Sequence, residues 1–166
     1  MRGVMKISFL ALITIILSAC EKDEQSDVKA DKNLILELNN KALSIITVDS
    51  HEYFLESYLW RDFMPISPPN GKPLASVNWL ISRDSISIPD NIEMIKQYVI
   101  NNDSVWIANY EDGLNTGPDY KIKKISRNGP KWGPGINVDI ISKIMDKNTN
   151  QDFYLIQKDV LIGRTD

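Results

Sequence analysis

Between residues 136 and 144 (INVDIISKI), apolar side chains recur at alternate positions. Ile136, Val138, Ile140 and Ile144 fall on one face of an extended chain, and Asn137, Asp139 and Lys143 on the other. Successive side chains of a strand point to opposite faces, so this spacing describes a sheet with one face in a core and the other in water. Comparable short runs recur along the chain. They cover 43–48 and 51–60 on either side of Asp49-Ser50, 74–82 (LASVNWLIS), and 98–100 and 105–107 around Asn101-Asn102-Asp103-Ser104. Phe153-Tyr154-Leu155-Ile156 and Val160-Leu161-Ile162 follow the turn-rich segment DKNTNQ. About eight short strands joined by polar turns predict a mainly β fold, with a β-sandwich of immunoglobulin-like or transthyretin-like kind as its architecture.

Two stretches compete with the strand pattern. Asn33 to Ala42 places Leu34, Ile35, Leu38 and Ala42 at helical spacing, which predicts one short N-terminal helix. Asp90 to Gln97 opens with an N-cap residue and Glu93, but its β-branched residues run straight into the next hairpin, so it is assigned to strand. Residues 64–73 (MPISPPNGKP) and 129–135 (GPKWGPG) cannot lie inside a sheet, because each proline removes a ladder donor; both are stiff loops.

Composition excludes several classes. The chain of 166 residues is 43% hydrophobic, enough for one core, and carries 19 basic against 22 acidic side chains for a net charge of −3. Only Lys121, Lys123 and Lys124 approach a basic cluster, so nucleic acid is not an expected partner. One cysteine and one histidine exclude a disulfide scaffold and a Cys/His zinc site.

The N-terminus has the layout of a signal peptide. Arg2 and Lys6 precede an apolar run of eleven residues from Ile7 to Leu17, short for a permanent span, which takes about 20 residues. Leu17-Ser18-Ala19-Cys20 resembles the lipobox of bacterial lipoproteins. That resemblance implies cleavage between Ala19 and Cys20, a diacylglycerol on the Cys20 thiol and acylation of the new amino terminus. Two or more acyl chains anchor a soluble domain stably, whereas one gives only marginal binding. Glu21 to Lys32 is polar and charge-dense, and is assigned to a flexible tether. Within it, Glu21-Lys22-Asp23-Glu24 resembles the acidic export signal of some Bacteroidota lipoproteins. By the same resemblance, Glu21 beside the cysteine argues against retention in the inner membrane. The expected organisation is a signal peptide over 1–19, lipidated Cys20 and tether over 20–32, and a single domain over 33–166, anchored at the bacterial outer membrane on its periplasmic or cell-surface side.

Catalytic motifs are weak. His51 is the sole histidine, no Gly-x-Ser-x-Gly elbow is present, and no calcium-loop pattern appears, so no catalytic residue, metal or cofactor is assigned. Glu52 and Glu56 share a strand face about 13 Å apart, too far for the ~5–9.5 Å carboxyl spacing of glycosidases. The clearest binding signal is aromatic. Trp60-Arg61-Asp62-Phe63 meets one stiff loop and Trp132 lies in the other; were both loops at one end of the fold, Trp60, Arg61, Asp62 and Trp132 would form a patch for a protein or glycan ligand. In the competing packing reading, Trp79 and Trp106 are core, Trp60 caps the core, and Arg61 with Asp62 pins the loop by an ion pair. The expected function is a lipid-anchored, non-catalytic binding module. The alternatives are an envelope inhibitor or immunity protein, and a hydrolase using carboxylates such as Asp62 or Asp139.

Overall fold

The computed structural model describes residues 27–113 and 117–166. The signal segment, Cys20 and the Glu21-Lys22-Asp23-Glu24 motif lie outside the described residues.

The described elements are β1 (Asp27–Ala30), α1 (Lys32–Lys41), β2 (Ile45–Val48), β3 (His51–Asp62), β4 (Leu74–Ser82), β5 (Ile92–Asn101), β6 (Ser104–Asn109), β7 (Glu111–Asp112), β8 (Lys121–Gly129), β9 (Asn137–Asp146) and β10 (Gln151–Thr165). The mainly β expectation holds, as does the short helix. All strands join one sheet in the order β1-β6-β5-β9-β10-β3-β4-β8-β7, with β2 also paired to β3. The sheet curls into a half-barrel.

β10 joins the two halves. Its first part runs antiparallel to β9, and its last residues pair in parallel with β3, from Ile162 opposite Leu59 to Thr165 opposite Asp62. The two apolar runs at 153–156 and 160–162 are therefore one strand, interrupted by a register shift between Gln157 and Val160 where Asp159 takes a φ of 56°. An extra residue of this kind bends a strand and increases its twist, which lets one strand serve both halves of a curled sheet.

The concave face holds the main core. Leu59, Leu74, Leu80, Val99, Ile140, Ile144 and Leu155 are fully buried there and Trp106 nearly so. Each buried aliphatic side chain of this size contributes roughly 1.5–3 kcal/mol relative to exposure. Strands far apart in the sheet meet across this core: the Ser76 hydroxyl and the Asn78 amide on β4 donate to Gln97 Oε1 on β5 at 2.7 and 2.8 Å. A second cluster lies on the convex side, where Leu38 of α1 packs with Ile100, Val105, Ile141 and Ile156. Asp31 caps this helix, accepting from the Leu34 amide at 2.9 Å.

One boundary is corrected. Asp27–Ala30, assigned above to the tether, is an edge strand paired with β6. All four of its side chains are exposed, so backbone hydrogen bonding alone recruits it and composition gives no sign of it.

Candidate functional site

β3 determines the site by alternation. Tyr53, Leu55, Ser57 and Leu59 point into the core, so Arg61 points inward as well, while Tyr58, Trp60 and Asp62 face outward. Arg61 is only 2% exposed. Its Nε donates to the Lys72 carbonyl at 3.0 Å, its Nη1 to the carbonyls of Lys131 and Gly133 at 3.2 and 2.8 Å, and its Nη2 to the Asn70 carbonyl. Asn70 and Lys72 belong to one proline-rich loop, Lys131 and Gly133 to the other. The two stiff loops thus converge, as the patch requires, but the guanidinium that joins them is buried between them. Burial pushes the Arg61 pKa down, since no carboxylate among the described residues pairs with the charge to offset its desolvation. The Phe63 ring covers it, with Arg61 Cζ 5.0 Å and Arg164 Cζ 4.1 Å from the ring centre. Gly71, at φ 63°, passes so close to this ring that a β-carbon there would lie 2.7 Å from it.

Arg61 is therefore a clasp between loops and cannot contribute to an exposed patch. Asp62 does not pair with it. The Asp62 carboxylate accepts from Lys72 Nζ at 2.6 Å and from the Met64 amide at 2.9 Å, contacts that hold its pKa below the usual carboxylate range. Trp132 is half-buried and packs against the concave core, whereas Trp60 lies on the convex side, so the structure does not unite the two indoles on one face. Trp106 is core as the packing reading expected, but Trp79 is half-buried on the convex face.

The convex face of β3, β4 and β8 forms a coherent surface. The registers place Glu56, Trp79 and Lys123 in one row across the strands, Tyr58, Val77 and Ile125 in the next, and Trp60 beside Ala75. Tyr58 and Trp60 stack, with ring centres 5.6 Å apart and planes 16° from parallel. Tyr58 also lies over Gly163 of β10, where a β-carbon would sit 3.1 Å from the phenolic oxygen. The single helix among the described residues covers the other half of the sheet, leaving this aromatic strip accessible, with Tyr58 45% exposed. Beside Trp60 opens a cleft of about 260 Å³ lined also by Asp62, Lys72, Ala75, Arg127 and Asn128. It combines an aromatic wall with a few convergent polar groups, the arrangement that orients a small ligand or one unit of a polymer.

The other chemical groups have structural partners. His51 Nδ1 lies 2.8 Å from Asp84 Oδ2, at a strand end and partly exposed. Asp84 is pulled down to about 2 by hydrogen bonds, chiefly from the Ser82 hydroxyl and then from His51. Glu52 pairs with Arg83 at 2.8 Å, and the Asp139 carboxylate accepts from the Asp159 amide at 3.0 Å, at the β10 irregularity. Among the described residues, no group of three or more His, Cys, Asp or Glu side chains could hold a metal ion.

Tyr58, Trp79, Lys123 and Arg127 were missed in the sequence. The alternation of 51–60 already places Tyr58 on the face of Trp60, but Lys123 and Arg127 require β8, whose apolar residues Ile122 and Ile125 break the period of two.

No protein family, curated protein or solved structure matches this chain.

Proposed function

We propose that this protein is a lipid-anchored outer-membrane module that binds glycan through the convex face around Trp60 and does not catalyse. The single observation carrying this reading is the accessible Tyr58–Trp60 stack beside a cleft bearing carboxylate, ammonium, guanidinium and amide groups. A sugar ring presents an apolar face that an indole can cover and peripheral hydroxyls that such groups can hydrogen-bond. The curled sheet supplies a rigid platform, and its register fixes the spacing of the aromatic side chains. The lipobox resemblance at Leu17-Ser18-Ala19-Cys20 supports the anchor, and the acidic motif after Cys20 supports export to the outer membrane.

Two experiments test the two parts. Cys20→Ala should abolish labelling of the full chain with a fatty-acid probe; labelling that survives refutes the anchor. Trp60→Ala should leave the circular dichroism and unfolding midpoint close to wild type while removing retention on a panel of immobilised glycans. Undiminished retention would refute the assignment of the face.

A further inference from the structure

We infer that the preferred ligand of this face is an acidic glycan, one with carboxylate or sulfate groups repeated along its length; the inference rests on the glycan reading above and deepens it. The registers that put Trp79 opposite Lys123 and Ile81 opposite Lys121 place both lysines on the same side as Tyr58, Trp60 and Trp79, with Arg127 further along β8. Same-face neighbours on a strand are about 7 Å apart, and β8 lies two strand spacings, roughly 10 Å, from β3. A saccharide lying along the strands with its rings on the β3 and β4 aromatics would therefore carry its outer substituents past a row of cations.

Charge is distributed accordingly. The chain as a whole is net acidic, at −3, yet three carboxylates near this face are paired, Asp62 to Lys72, Glu52 to Arg83, and Glu111 to Arg127 at a loose 3.4 Å, so these pairs cancel and the excess positive charge of the face comes from Lys121 and Lys123. Lys121 rests over the Tyr120 ring at 5.9 Å, and Lys123 forms no ion pair among the described residues. Glu56, exposed at the far end of the Trp79 row, is the one carboxylate without an ion-pair partner among the described residues of this face. Removing it and removing Lys123 must therefore act with opposite sign, an asymmetry that nonspecific stickiness of an aromatic face would not produce.

The test uses the full chain in detergent and affinity electrophoresis through gels containing polygalacturonate, its fully methyl-esterified form, dextran sulfate or dextran. Retardation by the two acidic polymers should exceed that by their uncharged counterparts and fade in about 0.5 M salt, where the Debye length shrinks to about 4 Å. Lys123→Gln combined with Arg127→Gln should weaken binding to the acidic polymers about tenfold, and Glu56→Gln should strengthen it about two- to threefold. Trp60→Ala should abolish binding even at low salt. Equal or stronger retardation by the uncharged polymers overturns the inference and leaves the glycan reading standing. Acidic-polymer binding indifferent to Trp60→Ala is simple polyelectrolyte attraction and overturns both, as does no retardation by any polymer.

Discussion

Arg61 donates to the carbonyl of Gly133 at 2.8 Å across a separation of 72 residues, and the same guanidinium reaches Asn70, Lys72 and Lys131. One side chain thereby fixes two proline-rich loops that share no strand pairing. Replacing it with Met keeps much of the apolar volume but leaves four carbonyls without their donor. Arg61→Met should lower stability by about 3 kcal/mol or more, measured by urea unfolding, and should speed proteolysis within 64–73 and 129–135 before global unfolding.

Gly129 marks where β8 passes over the largest core side chain. A β-carbon at this position would lie 2.7–2.9 Å from the six-membered ring of Trp106, which is 1% exposed and has nowhere to move. Gly129→Ala should therefore destabilise by about 1–3 kcal/mol through overpacking, although its backbone conformation accepts alanine. Gly117 provides the control, because a β-carbon there would meet nothing within 4 Å among the described residues. Gly117→Ala should leave the midpoint nearly unchanged.

These positions show which parts of the structure were legible beforehand. Strong alternation found β4 at its observed bounds and most of β3 and β9, and helical spacing found α1 to within a residue or two. β1 escaped because its side chains do nothing but point into water, and β8 because lysines occupy both of its faces. β10 was split in two because Lys158 and Asp159 interrupt its apolar pattern at the register shift that bends the sheet. For the candidate site, the odd-numbered sequence Tyr53, Leu55, Ser57, Leu59 already implied that Arg61 points inward. Its four carbonyl partners lie in distant loops, and only the folded chain brings them together.

Acid should destabilise the fold over a defined window. Asp84 falls to about 2 in the folded protein, against roughly 3.9 for an unfolded aspartate. A carboxylate with a depressed folded pKa contributes stability that is complete above its unfolded pKa and lost as pH falls through the folded one. Asp62, Asp112 and Asp146 are shifted in the same direction by their hydrogen-bond donors, first among them Lys72, Lys124 and Thr149 respectively. The urea midpoint should therefore decline between about pH 4 and pH 2, and Asp84→Asn should flatten that decline while lowering the plateau near neutrality. A midpoint constant across this range would contradict the assignment.

The last prediction concerns the polar centre of the core. Gln97 is fully buried; its Oε1 accepts from Ser76 and Asn78, and Asn78 Oδ1 in turn accepts from the Ser57 hydroxyl at 2.6 Å. Its Nε2 is buried with no hydrogen-bond partner among the described residues. Gln97→Met strands two donors but relieves one unpaired amide, so the net loss should be modest, about 1–2 kcal/mol. Asn78→Leu instead removes a donor and an acceptor at once, leaving the Ser57 hydroxyl without its partner and Gln97 with Ser76 alone. The two sites share one network, so their effects should not add: the double variant should lose about 0.5 kcal/mol less than the summed single losses, or a larger shortfall, as read from a urea double-mutant cycle. Strict additivity would mean that the link from β4 to β5 contributes nothing to holding the curled sheet closed.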